Sequence, residues 1–351
     1  MKQITLGILG GGQLGRMSAM AAARLGISCV IFTPEDNSPA SHVAKQTIIA
    51  DYDNEAALKT FASRVDVISY EFENIPVKTI RYLKTLKPVY PGDNLLEIAQ
   101  DRASEKQFLN DIGIPTAPWA AIDTPQDLKA TLENWDTQGA IIKTRRFGYD
   151  GKGQARISSD TNIETLWTQF KNQPLIIEGL VDFDCEISVI IARDQFGNSE
   201  IYGPMVNEHK NHILHKTTMP CPLPDDIQTT AIDYTKKLAD HIDLVGVLTL
   251  EIFITKDNKV IANEIAPRTH NSGHWTIDAC AVSQFENHVR TVCGLPAAPA
   301  DRHSDCEMIN LIGDDVKNID NYLEQPNTCV HLYGKSETRE SRKMGHITIL
   351  K

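Results

Sequence analysis

The sequence predicts an α/β protein of two or three domains, and three observations carry that expectation. The first is size: 351 residues exceed what one ordinary hydrophobic core serves. The second is rhythm. Through the first hundred residues short apolar runs alternate with helix-spaced stretches, the pattern of a parallel sheet with helices on its faces. The third is a change of pattern beyond Pro115, where longer β segments take over: AIIKT, GQARIS, PLIIEGLV, CEISVII and EIYGPMV.

In order along the chain, ITLGIL is a strand, residues 13–25 a helix, SCVIFTP a strand, residues 55–64 a helix and VDVISYEF a strand. The turn-rich PVYPGD, residues 88–93, marks the approach to a boundary. Residues 101–113 read as one helix, ended by Gly113 and Pro115. After the β segments, a helix over 227–242 leads into a hairpin over 249–275, and 283–293 form another helix. Short strands, MINLIG, TCVHLYG and HITIL, fill a small β-rich terminal module. The expected domains are 1–101, 102–294 and 295–351.

Acidic residues outnumber basic ones 46 to 35, a formal charge of −11, which argues against broad binding to a nucleic-acid backbone. No apolar run approaches a membrane span. The first apolar run breaks into glycines, so it reads as a buried strand and not as a signal peptide. The seven cysteines include no CxxC pair, and reduced thiols in a cytoplasmic protein are the simplest account.

The hairpin carries the sharpest chemistry. A two-residue turn at Asp257-Asn258 sets Glu251 opposite Glu264, with Cβ atoms about 5 Å apart. Two carboxylates at that distance repel, and a hard divalent cation between them removes the repulsion. The pair is a candidate Mg-nucleotide site; the plain alternative is a solvent-facing pair in another register.

Other segments gain meaning beside it. Gly10 to Gly15 fits G-x-G-x-x-G after a strand, with Glu35 downstream, a weak match to a dinucleotide fingerprint. Its physics serves any phosphate, since glycines and a helix N-terminus present free N–H groups. The alternative is a tight strand-to-helix turn. The second cluster, Arg145 to Gln154, follows a strand carrying Lys143. A strand lysine and a basic glycine loop suit a polyphosphate clamp, or equally a plain hairpin turn. The apolar runs around Glu178 and Glu186 can offer backbone to an adenine edge and a carboxylate to a ribose, or be an ordinary β connection. Arg268, His270, Asn271, Ser272 and His274 crowd the segment after Glu264 and suit anion or substrate contacts. His209, His212 and His215 match no zinc signature.

Together these residues resemble the ATP-grasp family and, within it, the 5-(carboxyamino)imidazole ribonucleotide synthetases of purine biosynthesis. The resemblance rests on ILGGGQLGRM, YEFENI, RRFGYDGKGQ, NEIAPRTHNSGHWT and YGK…SRKMGHI, which run from Ile8 to Ile347. Ala266 stands where many relatives carry Asn, which fits this branch better than biotin carboxylases or peptide ligases. One departure is Arg339-Glu340-Ser341-Arg342-Lys343, where the family has R-P-G-R-K.

The resemblance implies an ATP-grasp fold with an N-terminal Rossmann-like, pre-ATP-grasp domain. It implies Mg2+ with ATP, held by Glu251 and Glu264, with Mn2+ as a substitute. Nucleotide contacts would be Arg102, Lys143, Gly148, Tyr149, Asp150, Gly151, Lys152, Gly153, Gln154, Glu178, Gly179, Leu180, Val181, Glu186, His209, Asn263 and Glu264. Gln13, Leu14, Glu73, Tyr149, Lys152, His270, Asn271, Lys335 and Arg342 would meet aminoimidazole ribonucleotide, with Lys143, Arg268, His270 and Asn271 around the reacting atoms. The implied reaction passes through carboxyphosphate to the carboxyamino product, ADP and phosphate, in a cytoplasmic homodimer with small-molecule substrates. The alternatives are another ATP-grasp ligase of a purine-pathway ribonucleotide, a nicotinamide-dependent oxidoreductase resting on Gly10 to Gly15, and a non-catalytic nucleotide-binding module.

Overall fold

A computed structural model describes residues 3–134, 139–148, 153–157 and 161–351. The alternating N-terminal pattern forms a parallel sheet. Strands β1 (Thr5–Leu9), β2 (Ser28–Thr33), β3 (Gln46–Ile49) and β4 (Val67–Tyr70) lie in the order β3-β2-β1-β4. Its central strands are largely apolar because both faces are covered. Leu6, Ile8, Cys29 and Ile31 pack on one face, with Met17 and Ala21 of helix α1 (Gln13–Arg24). Leu9, Val30 and Phe32 pack on the other, against Leu58 and Phe61 of α2 (Glu55–Ala62). Asn54 caps α2, its Oδ1 accepting from the Ala57 N–H at 3.0 Å. Phe61 is fully buried, and truncating it to Ala would cost roughly 3–5 kcal/mol.

The turn-rich segment 88–93 is flanked by two helices that the sequence pattern does not show. Helix α3 (Val77–Lys84) follows Pro76, and α4 (Asp93–Ala99) starts immediately after Gly92. Asp93 is held there by Lys84 at 2.5 Å and Arg81 at 3.3 Å. Helix α5 (Arg102–Asp111) opens on Asp101, whose Oδ1 accepts from the Ala103 and Ser104 N–H groups. Gly113, at φ +68°, ends that helical segment where a side chain would be strained.

Two further sheets follow. Strands β5 (Trp119–Ile122), β6 (Ala140–Thr144), β7 (Gln154–Ile157) and β8 (Leu175–Gly179) make an antiparallel sheet in the order β5-β8-β6-β7. The large sheet contains β9 (Phe183–Arg193), β10 (Ser199–Lys210), β11 (Ile213–Met219), β12 (Gly246–Thr255), β13 (Val260–Ala266), β14 (Cys306–Ile312), β15 (Thr328–Leu332) and β16 (Lys343–Leu350). Its order is β13-β12-β9-β10-β11-β14-β16-β15, so the terminal strands extend this sheet and make none of their own.

The β12–β13 hairpin reaches the expected pairing by an unexpected route. Glu251 does face Glu264, but the turn is not two residues long. The Thr255 N–H donates to the Lys259 carbonyl, leaving a three-residue loop closed by Asn258 at φ +62°. Ile252 then pairs with Ala262, and Asn263 is the extra residue of a β-bulge. The longer loop and the bulge each shift the register by one residue, and the shifts cancel at the glutamates.

Candidate active site

The three sheets enclose a cavity of about 1150 Å³, lined by residues from almost every motif singled out in the sequence. Glu251 and Glu264 both reach it from the hairpin, and each has a side-chain nitrogen as a close partner. His270 Nε2 lies 2.8 Å from Glu251 Oε1, and Arg102 donates to Glu264 Oε2 at 2.9 Å. Burial alone would raise the Glu251 carboxyl, but His270, His209 and Arg268 bring it below the usual range. Two hard carboxylates on one sheet face fit a divalent cation, whose arrival would displace His270 and Arg102 from their oxygens.

His270 is itself firmly held. Gln284 clamps its backbone, accepting from the N–H at 2.9 Å and donating to the carbonyl at 2.6 Å. Its Nδ1 meets Ser272 Oγ at 2.8 Å. Beside it, Asn271 lines the cavity with both amide atoms buried and lacking a hydrogen-bond partner, as suits a group that meets a ligand. Arg268 pairs with Glu73 at 2.5 Å, and both line the cavity.

Arg102 also donates to the Gly148 carbonyl at 3.2 Å, tying the α5 start to the glycine loop. Arg145 bonds Asp101 from the other side, with its Nε 3.0 Å from Oδ1. Lys143 lines the cavity and pairs with Glu178 at 3.1 Å. Glu186 and His209 pair at 2.9 Å and line it too, as do Gln154 and Asn263. Burial would lower the His209 pKa, but Glu186 raises it above the ordinary value. At Gly153 a Cβ would meet Thr144 Oγ1 at 2.7 Å, so glycine is required there. Tyr149, Asp150, Gly151 and Lys152 lie outside the described residues. Leu180 and Val181 stand apart, lining a separate cavity of about 450 Å³ with Thr116 and Lys256.

The first glycine motif holds a feature the sequence did not announce. Glu71, buried, accepts hydrogen bonds from the Gly12 N–H and, at 2.7 Å, from the Gly15 N–H. Burial is the largest influence and raises its pKa. The amides a pyrophosphate would use are therefore already engaged, which removes the main support for the dinucleotide reading. Gln13 and Leu14 remain at the cavity edge.

Lys335 and Arg342 do not line the large cavity; Lys343, the first residue of β16, does. The terminal segment nonetheless packs on the start of the chain. Tyr333 belongs to the same core as Leu14 and Met17, and a Cβ on Gly334 would lie 3.1 Å from His42 Nδ1. Lys335 donates to the Lys343 carbonyl at 2.7 Å, and Arg342 to the Glu337 carbonyl at 3.1 Å. Burial, with Arg342 and Lys343 nearby, lowers the Lys335 pKa to about 8 against the opposing influence of Glu71 and Glu35.

Sequence reasoning missed Glu71, Glu105, Lys106 and Lys343. Glu105 lines the cavity and accepts from the Ile265 N–H at 2.5 Å; burial and then Glu264 push its carboxyl up to about 8. The signal lay in DRASEK, where charged residues recur on the buried side of α5. Elsewhere among the described residues, Asp278, His331 and His346 gather metal-ligand types, with Asp278 and His331 2.9 Å apart. The two imidazoles stack 4.4 Å apart at 12°, so an ion in one ring plane lies outside the other. That cluster is hydrogen-bonded packing.

Family comparisons agree with this anatomy. Residues 1–100 match the ribonucleotide synthetase preATP-grasp domain, 107–285 the ATP-grasp domain, and 306–351 the phosphoribosylaminoimidazole carboxylase C-terminal domain. An N5-carboxyaminoimidazole ribonucleotide synthase of Brucella melitensis is 49% identical, across 99% of this chain and 96% of its own. The Staphylococcus aureus N5-carboxyaminoimidazole synthetase structure with ADP matches at TM-score 0.95 and 35% identity, covering 100% of this chain and 94% of that one. An Aspergillus clavatus enzyme structure in complex with ADP and 5-aminoimidazole ribonucleotide matches at TM-score 0.92 and 28% identity, covering 99% and 94%.

Proposed function

The chain belongs to the N5-carboxyaminoimidazole ribonucleotide synthetase family of ATP-grasp ligases, and from that premise we propose how its residues divide the reaction. It is an ATP-dependent ligase of purine biosynthesis that carboxylates 5-aminoimidazole ribonucleotide with bicarbonate. The observation that carries the site assignment is one continuous cavity, lined by the Glu251/Glu264 pair, Lys143, His270 and the glycine-opened start of α1. Both substrates can meet inside it.

Lys143, Arg102 and the glycine loop bind the ATP phosphates; Glu186 and His209 meet the ribose side, and Leu180 and Val181, which line the smaller cavity, the adenine. Glu251 and Glu264 would hold Mg2+, for which Mn2+ can substitute, and the ion would neutralise charge developing on the phosphate oxygens. A bicarbonate oxygen attacks the γ-phosphorus, and the bond to the ADP oxygen breaks. Carboxyphosphate then yields phosphate as its carbon passes, as CO2 or directly, to the exocyclic amine, which gives up one proton. Arg268 and His270 face this region, and His270 and released phosphate are the two groups able to take that proton. Carboxyphosphate hydrolyses in water, so the reaction requires that water be kept from it. Asn271 holds the imidazole end, and Gln13 and Leu14 meet the ribonucleotide phosphate at the cavity edge, with Glu73 nearby; Lys335 and Arg342, which stand outside the cavity lining, are assigned to that phosphate by family likeness. That phosphate site is supported by the packing of Tyr333 against Leu14.

No helix among the described residues is long and apolar enough to cross a membrane. Seven free cysteines support a reducing cytoplasm, where we place a homodimer by family likeness. The test is 13C-bicarbonate with ATP and aminoimidazole ribonucleotide. A new carbamate carbon resonance that needs all three substrates is expected; its absence, with folded protein, contradicts the assignment.

A further inference from the structure

Glu178 is bracketed by two lysines with different surroundings. Lys143 Nζ lies 3.1 Å from its Oε1, and Lys106 Nζ lies 3.2 Å from its Oε2. Lys143 lines the large cavity, whereas neither Lys106 nor Glu178 does. Lys106 is 1% exposed, and its Nζ also donates to the Asn263 carbonyl at 3.2 Å. It therefore joins the end of β8 to the bulge that carries the carboxylate pair, yet it has no face toward a ligand.

Charge counting gives this arrangement a purpose. A buried carboxylate needs a counter-ion, and removing its last one is strongly unfavourable. If Lys143 alone balanced Glu178, drawing Lys143 toward a polyphosphate would strand that carboxylate. With Lys106 present, one cation can leave and a neutral pair remains.

We propose that Lys106 is a positioning residue, the standing counter-ion of Glu178 that releases Lys143 to the ATP phosphates. It never touches the nucleotide. This rests on the reading of Lys143 as a phosphate contact, and it extends that reading by a residue that acts only through Glu178.

The experiment compares Lys106→Met, Lys143→Met and Lys106→Met/Glu178→Gln in the full-length enzyme, with KM measured for ATP and for aminoimidazole ribonucleotide. Lys106→Met is expected to raise the KM for ATP by about tenfold or more, since Glu178 then retains Lys143, and to leave that for the ribonucleotide nearly unchanged. The double variant is expected to recover part of the loss, because neutralising Glu178 frees Lys143 again. A purely structural lysine gives no such recovery. An unchanged KM for ATP in Lys106→Met, equal shifts for both substrates, or a double variant no better than the single one overturns the proposal. If Lys143→Met also leaves the KM for ATP unchanged, the phosphate reading itself has failed. If Lys106→Met does not fold, the double variant, which removes both charges, is expected to fold; failure of both variants overturns the counter-ion role in favour of packing.

Discussion

Glu251 and Glu264 face each other across the β12–β13 hairpin, and each is engaged by a side chain from a different part of the chain. His270 takes Glu251 at 2.8 Å, and Arg102 takes Glu264 at 2.9 Å. The chain engages both carboxylates through side chains brought from residues 102 and 270. A divalent ion would take over the same oxygens.

Glu251→Gln and Glu264→Gln should each lower turnover by about 10²-fold or more while the thermal midpoint moves little, because an amide cannot balance the ion. The loss should deepen as magnesium is made limiting. Near-normal activity of both variants at limiting magnesium contradicts the metal assignment.

The hairpin also marks how far sequence reasoning reaches. Counting from Asp257-Asn258 found the right pair because a longer turn and the bulge at Asn263 offset one another. Apolar alternation disclosed the strands, since burial on one or both faces leaves its mark in residue type. It did not disclose α4, which begins among Pro91 and Gly92 and is held by Asp93 pairing across to α3. Nor could it disclose Glu71, which meets amides 59 and 56 positions away. Lys106 was hidden for a related reason: a lysine in sequence looks solvent-facing, and only tertiary packing buries it. The approach of the terminal segment to the chain's first helix depends on Tyr333 entering the core that holds Leu14.

Lys335 gives a pH dependence with a definite sign. Burial, then Arg342 and Lys343, lower its pKa from 10.5 to about 8 in the free protein. Below that pH it is charged and, in the role proposed for it, would attract phosphate; above it the charge fades. The KM for aminoimidazole ribonucleotide should therefore rise between about pH 7 and pH 9, while that for ATP stays flat. Lys335→Met should abolish the slope. Because the unfolded lysine keeps its proton longer, this group makes stability rise with pH across the same window and up to its ordinary value. A pH-independent ribonucleotide KM in the unmodified enzyme contradicts a phosphate role for Lys335.

Arg342→Ala separates the two substrates. It should raise the KM for the ribonucleotide strongly and leave that for ATP nearly unchanged. Movement of both constants together, or of neither, removes the terminal segment from the substrate site.

Gly273→Ala tests the support beneath His270. A Cβ there would lie 2.3 Å from Ile190 Cδ1 and 2.7 Å from Gln284 Nε2, and Gln284 is the clamp on the His270 backbone. Overpacking should destabilise by roughly 1–3 kcal/mol and reduce turnover in the surviving folded enzyme. Full activity at unchanged stability would mean that the clamp does not position His270.

The most direct test of the whole account is ADP release, measured with ATP and Mg2+ while aminoimidazole ribonucleotide and bicarbonate are added separately and together. The account predicts rapid release only when both are present, with one carboxylated ribonucleotide formed per ADP. ADP release indifferent to the ribonucleotide, or carboxylation without ATP consumption, would contradict it.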